Sequence, residues 1–158
     1  MIIKKMIEFA GKYNAIIDDK GRIVLPSALK KEMGEFALEP LVLEMSLHKE
    51  CLDIHPNKYW QERVADFKST LDPFDKEDDA LLQFFYQNFV KVTMATNGRI
   101  NIPAGYLEYA NLKKGVEFIG MGESIRLQAA KELDESEMTR AEFLEKLKQK
   151  RKKNKEGK

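Results

Sequence analysis

The sequence predicts an α+β fold with a mainly β core: two similar βαββ-like units, a helical insert between them and a C-terminal helix. Three observations carry this expectation. The stretch "GRIVLP" at 21–26 returns 77 residues later as "GRINIP" at 98–103. Around each copy lie four short runs with the apolar alternation of half-buried strands. Between the two sets, the apolar residues switch to helical spacing. The units are expected at 6–55 and 91–133, the insert at 56–90, and the C-terminal helix with a basic tail at 134–158.

In the first unit the strand signals are "NAIID", "RIVLP", "PLVLEMS" and "CLDIH"; in the second they are "KVTMA", "RINIP", "GVEFIGM" and "SIRLQ". A Gly-Arg turn separates the first two strands of each set. Pro26 and Pro103 then suit the first turn of a short helix, where a missing N–H is harmless. Leu29, Met33, Leu107 and Ala110 form the apolar side of these helices. Aligning "CLDIH" with "SIRLQ" gives an offset of 73, so the first unit holds about four extra residues, placed most simply around "SLHKE".

In the insert, Trp60, Val64, Phe67 and Leu71 follow helical spacing, "LDPFD" breaks it, and Leu82, Phe85 and Phe89 resume it. Asp75 is the expected N-cap of the second helix, with Asp78 at its third position. The aromatic stripe reads as core or subunit packing rather than a cofactor pocket. The last helix is expected to start at Asp134, with Glu137 three residues on, and to pass Leu144 and Leu147 before giving way to the tail.

A chain of 158 residues with 43% hydrophobic and 34% charged residues can bury a proper core. Its formal net charge is +1, but residues 146–158 carry +7, which leaves −6 on residues 1–145. Any surface for nucleic acid on the folded part is therefore a local patch on an acidic body. Cys51 is the only cysteine, which excludes an intrachain disulfide and suits a reducing compartment. No apolar run reaches bilayer length, and "MIIKKMIEFAG" is too short in its apolar part for a signal peptide, so the expected location is the cytoplasm.

Catalytic chemistry has little foothold. His48, Cys51 and His55 lie within eight residues and are joined by Asp53, yet no second ligand cluster closes a tetrahedral metal site. A buried cysteine acting as a small hydrophobe is the favoured account. The carboxylate pairs Asp18–Asp19 and Asp78–Asp79 read as turn and helix-start residues. The sequence holds no phosphate loop and no nucleophile elbow. No enzyme activity, cofactor or metal is expected.

The two Gly-Arg turns are the candidate site. Gly21 and Gly98 supply the positive φ of a tight turn, and the arginine beside each is left on the rim with a fork of donors. Arginine fits the paired acceptors of guanine in the major groove, while a nearby lysine serves phosphate. A single Gly-Arg hairpin is weak support; two copies in matching units carry more.

With these residues in view, the chain resembles the MraZ family of bacterial transcriptional regulators, whose repeats are similar to AbrB-type swapped-hairpin domains. "MIEFAGKYNAIIDDKGRIVLP" resembles the family's opening and its Asp-x-Lys-Gly-Arg motif, and "ATNGRINIP" its second Gly-Arg motif. "LKKGVEFIGMGESIRLQAAKEL" is similar to its last strands, with Leu127 and Gln128 where Ile and Trp are usual. The resemblance covers residues 6–145. It implies two tandem swapped-hairpin repeats forming a double-split β-barrel, and a repressor that binds double-stranded DNA at tandem direct repeats in the promoter of a division and cell-wall gene cluster. It also implies a nucleoid-associated homo-oligomer, a ring of octamer or dodecamer size, with the insert as one place for subunit packing and capping of its own sheet as the other.

Carried over by the resemblance, Arg22 and Arg99 read bases, Lys20 contacts phosphate or base, and Asp18 braces its turn or its arginine. Gly21, Gly98 and Asn97 support the turns. The second motif departs at Ala95, where the family has Asp; either Asn97 or a neighbouring repeat braces Arg99, or the second site contributes less, the version favoured here. The basic tail reads as an arm on DNA backbone, a solvated helix end or a bias of composition. An antitoxin-like protein-interaction module is the alternative function, and an enzyme ranks third.

Overall fold

The computed structural model describes residues 6–131 and 138–156. In chain order the elements are β1 (Lys12–Ile16), β2 (Arg22–Val24), α1 (Ser27–Met33) with a 3-10 turn at Gly34–Leu38, β3 (Leu41–Met45), β4 (Leu52–Pro56), α2 (Asn57–Ser69) and α3 (Lys76–Gln87). Then come β5 (Phe89–Val92), β6 (Arg99–Asn101), α4 (Ala104–Tyr109), β7 (Gly115–Gly120), β8 (Ile125–Ala129) and α5 (Arg140–Glu156). The strands form a six-stranded sheet in the order β1-β7-β8-β4-β3-β5 and a two-stranded ribbon, β2-β6, all antiparallel. The described residues thus make a mixed α+β fold around a mainly antiparallel sheet.

The strands mix the two halves of the chain. β1 pairs with β7, β2 with β6 and β4 with β8, and the pairing list is unchanged when each first-half strand is exchanged for its second-half counterpart. Two pairs of facing residues map onto themselves, Ile23 with Ile100 and Asp53 with Arg126. They mark the local two-fold axis. Arg126 Nε donates to Asp53 Oδ1 at 3.0 Å on that axis, with both side chains mostly buried.

Register also relocates the extra residues of the first half. Ala15 faces Val116 and Leu41 faces Val92, so the offset of 77 between Ala15 and Val92 has fallen to 75 between Leu41 and Val116. Leu41 faces Pro56 and Val116 faces Ala129, which gives 73 between Pro56 and Ala129. Two extra residues therefore precede β3, where the 3-10 turn lies, and only two fall in the β3–β4 loop that contains "SLHK".

Several boundaries differ from expectation for identifiable reasons. Asn88 Nδ2 donates to the Met45 carbonyl at 2.6 Å while the Asn88 carbonyl accepts from Met45 N at 2.9 Å. This clamp ends α3 and makes Phe89 the first residue of β5 rather than a helical one. Pro26 and Pro103 stand just ahead of α1 and α4 with extended ψ of 138° and 148°, and their carbonyls accept the first helical N–H groups. Asp75 caps α3 by accepting from Glu77 N at 3.1 Å, whereas Asp78 reaches back to Asp72 N at 2.8 Å and ties down the preceding turn.

Asp134 and Glu137 lie outside the described residues. At α5, Thr139 Oγ1 accepts from Glu142 N at 3.1 Å, a side-chain N-cap, and the Thr139 hydroxyl lies 3.4 Å from Glu142 Oε1. The helix then runs through the basic segment to Glu156 instead of ending before it.

The core gathers the inward faces of both halves. Ile23, Ile100, Leu25, Leu29, Met33, Leu43, Ile54, Phe118, Ile125 and Leu127 are all at most 2% exposed. On the outer face, α2 packs over β3 and β4 through Trp60. Its indole lies 4.8 Å from the His55 ring, 4.7 Å from Phe89 and 5.4 Å, stacked, from Phe85. Beneath it, His55 Nε2 and Glu44 Oε1 pair at 3.0 Å in a buried setting, with Arg63 3.6 Å from the same carboxylate. A buried carboxylate needs such partners.

Candidate nucleic-acid interface

Each Gly-Arg turn is built by the same backbone scheme. In the first, Gly21 N donates to the Asp18 carbonyl at 3.1 Å and Asp18 N to the Arg22 carbonyl at 3.1 Å; in the second, Gly98 N donates to Ala95 O at 2.8 Å and Ala95 N to Arg99 O at 2.9 Å. Gly21 and Gly98 have φ of +81° and +88°, a region that strains an L side chain. The arms of each turn do not stay together: β1 and β5 enter the large sheet, while β2 and β6 leave it to form the ribbon.

The turns are tied to each other across the chain. Ile102 N donates to the Gly21 carbonyl at 2.8 Å, and Leu25 N donates to the Gly98 carbonyl at 2.9 Å. Lys30 Nζ, on α1, donates to the Thr96 carbonyl of the second turn. Neither turn can therefore shift without disturbing the strand end of the other half.

The ribbon has one face in and one out. Ile23 and Ile100 point to the core, while Arg22, Val24, Arg99 and Asn101 are exposed. Arg22 faces Asn101 and Arg99 faces Val24, so the arginines are diagonal neighbours on one face. Together with Ala15, Ile16, Asp18, Ile23 and Val24 they line a single open cleft. Lys20 is exposed at the tip of the first turn, and its counterpart in the second is Asn97.

The bracing of the two arginines differs. Asp18 Oδ1 accepts from Lys20 N at 3.0 Å and Arg22 N at 2.9 Å, and its Oδ2 accepts from Arg22 Nε at 2.6 Å. The pair is an exposed one, with side chains 43% and 37% accessible, and the Arg22 Nη groups make no hydrogen bond among the described residues. The Arg22 backbone N–H, more than any other group, holds the Asp18 carboxyl below its ordinary value of 3.8; the guanidinium and Lys20 N add to this and desolvation opposes it. At Ala95 no carboxylate is present. Asn97 Oδ1 accepts from Arg99 N at 3.0 Å, so the backbone of the second turn is satisfied while the Arg99 guanidinium has no side-chain partner among the described residues.

Other candidates from the sequence do not converge. Cys51 is fully buried, and burial foremost pushes its thiol above the ordinary value. His55 is buried against Glu44 and Trp60, Asp53 is taken by Arg126, and His48 lies exposed in the β3–β4 loop. Among the described residues no group of three or more His, Cys, Asp and Glu is arranged for a metal ion. Sequence reasoning missed Val24, Asn101 and Ile16 beside the arginines; two-residue alternation counted outward from Arg22 and Arg99 finds the first two.

Comparison with known proteins fixes the family. A family model described as "MraZ protein, putative antitoxin-like" matches residues 85–153. The chain is 34% identical to the transcriptional regulator MraZ of Lachnoclostridium phytofermentans over 75% of this chain and 79% of that protein. It is 30% identical to the Clostridium tetani protein of the same name, over 80% and 85% of the two chains. The chain belongs to the MraZ family. A third MraZ relative, from Bacteroides thetaiotaomicron, is 28% identical over 87% of this chain and 88% of its own. The three relatives match 75% to 87% of the chain, so membership does not rest on one short motif.

Proposed function

We propose that the protein is a sequence-specific DNA-binding transcriptional regulator, not an enzyme, that reads duplex DNA with the exposed face of the β2–β6 ribbon. One observation carries this reading: the arginines of two separate Gly-Arg turns end up side by side on one solvent face, with cross-tied backbones beneath them. Arg22 and Arg99 take guanine edges through paired hydrogen bonds, and Lys20 contacts phosphate. Asp18 fixes the orientation of Arg22 in advance, while Arg99, without a carboxylate, contributes less. The names of the MraZ relatives, transcriptional regulators, support the same reading.

The finer expectations belong to this proposal. The chain forms two tandem swapped-hairpin repeats, at 6–55 and 91–133, closing a double-split barrel; the symmetric exchange of strands supports it. It acts as a repressor at tandem direct repeats in the promoter of a division and cell-wall gene cluster, as a nucleoid-associated cytoplasmic protein. It works as an octameric or dodecameric ring, whose copies gain avidity once one has docked. The insert supplies subunit packing: Leu81, Phe84 and Tyr86 of α3 are 54%, 59% and 42% exposed. Helix α5 is an arm on the DNA backbone, and among the described residues no helix is long and apolar enough to cross a membrane.

The test is binding of the full chain to duplexes from its own upstream region and to shuffled duplexes, for the parent, Arg22→Ala and Arg99→Ala. Loss of the preference in folded, still oligomeric variants is expected. Equal preference in the parent and Arg22→Ala overturns the assignment. A second reading, an antitoxin-like module that holds a protein partner, is favoured by the description of the matching family model and by the uncovered α5 helix. Co-purification of a stoichiometric small protein through α5, with no sequence preference for DNA, selects that reading.

A further inference from the structure

We infer that Val24 and Asn101 are specificity-determining residues: Val24 meets the 5-methyl group of a thymine, and Asn101 pairs with an adenine. This rests on the ribbon reading DNA as proposed above. The local axis through Ile23 and Ile100 exchanges Arg22 with Arg99 and Val24 with Asn101. The arginines are the same on both sides and the other pair is not. The pairing of the two ribbon strands is two-fold symmetric, so within the ribbon the asymmetry of the exposed face lies in these two side chains; the flanking turns add Asp18 against Ala95 and Lys20 against Asn97.

Neither residue is explained by the protein's own packing. Val24 is 53% exposed in a strand whose inward residue is Ile23. Asn101 is exposed, its amide makes no hydrogen bond among the described residues, and asparagine disfavours strands. Both lie on the face that carries the arginines, with Val24 opposite Arg99 and Asn101 opposite Arg22. A two-stranded ribbon fits the major groove. There a thymine is marked by its methyl group and an adenine by its N6 and N7, which the asparagine amide matches in a bidentate way.

Spacing agrees with this assignment. Side chains two apart on a strand are separated by about 7 Å, close to two base-pair steps of about 3.4 Å. Each end of the ribbon therefore addresses its own step. At one end Arg22 and Asn101 call for guanine beside adenine; at the other Arg99 and Val24 call for guanine beside thymine. A single copy thus binds a site that has a direction.

Selection from a randomised duplex library with the full chain tests the inference. The parent is expected to enrich a non-palindromic site containing those two steps. Asn101→Val makes the four exposed ribbon side chains two-fold symmetric, and its selected site is expected to become palindromic at those two steps; Val24→Asn makes them symmetric in the other sense and removes the thymine. Replacing that thymine by uracil in the parent's selected duplex is expected to weaken parent binding about fourfold, the value of one buried methyl, and to leave Val24→Asn unaffected.

An identical selected site for all three proteins overturns the roles of Val24 and Asn101, and an unchanged affinity of the parent for uracil overturns that of Val24, while the arginines stand. No enriched site for the parent, or one that Arg22→Ala enriches equally, overturns the ribbon reading itself and this inference with it. The uracil measurement needs only the parent, so it decides even where a variant misfolds.

Discussion

Asp53 and Arg126 face each other in the β4–β8 register and pair at 3.0 Å on the axis that relates the two halves of the chain. With 13% and 19% of their side chains accessible, each depends on the other for charge compensation. Arg126→Ala is expected to lower unfolding free energy by about 1 to 3 kcal/mol, less than for a fully buried pair broken on one side because solvent reaches both groups. Urea denaturation measures it, and the pair Asp53→Leu with Arg126→Met is expected to recover much of the loss.

Gly21 and Gly98 share a backbone conformation but not their surroundings. A Cβ on Gly21 would lie 2.5 Å from the Ile102 carbonyl oxygen, whereas one on Gly98 has its nearest neighbour at 3.5 Å. Gly98→Ala is expected to destabilise by about 1 to 2 kcal/mol from backbone strain alone. Gly21→Ala is expected to cost clearly more and to disturb the ribbon, seen as shifted amide resonances at Ile102 and Leu25.

Asp18 titrates with a definite sign. Its folded-state pKa lies below the ordinary 3.8, so its contribution is complete above that value and is lost as pH falls through the lower folded value. Carbon-detected NMR titration is expected to find Asp18 below 3.8, and to find it raised only part of the way back in Arg22→Ala, which removes the guanidinium but keeps the backbone N–H groups that do most of the lowering. Order of the first turn is expected to persist through neutral pH.

Ala95→Asp restores to the second turn the acceptor that the first one has. The new carboxylate is expected to engage Arg99 Nε as Asp18 engages Arg22, and to sharpen base preference by a few-fold through pre-orientation. Binding to specific and shuffled duplexes by anisotropy checks this; equal affinities in parent and variant for both duplexes refute it.

Helix α5 is exposed and cationic over residues 146–156. Lys146 and Lys150, Lys148 and Lys152, and Arg151 and Lys155 are like-charge neighbours one turn apart, which disfavours the isolated helix. Deleting 140–158 is expected to weaken all duplexes alike and to reduce the slope of log K against log salt by up to about 6. Selective loss for one sequence would contradict a backbone role.

Much of this architecture is legible in the chain itself. Two-residue alternation around Ile23 and Ile100 marks the ribbon strands, and Pro26 and Pro103 mark the helices that follow. The helical insert follows from Trp60 and Phe85. Local signals do not reveal partners, so nothing in "NAIID" announces that Ala15 faces Val116 rather than a strand of its own half. The placement of the extra residues was obscured for the same reason, because register is set by pairing and not by the strings compared. The Phe89 boundary depended on Asn88 meeting Met45, a contact between residues 43 apart. At the site, Gly and Arg are visible as types, while the asymmetry of Val24 against Asn101 acquires meaning only once the two strands lie side by side.

The exchange of strands between halves sets an order of events during synthesis. When the ribosome has released only the first half, β3 and β4 can pair, but β1, β2 and β4's other edge still await β7, β6 and β8. The nascent protein therefore carries open strand edges until nearly the whole chain has emerged, and two such chains can satisfy each other's edges before either is finished.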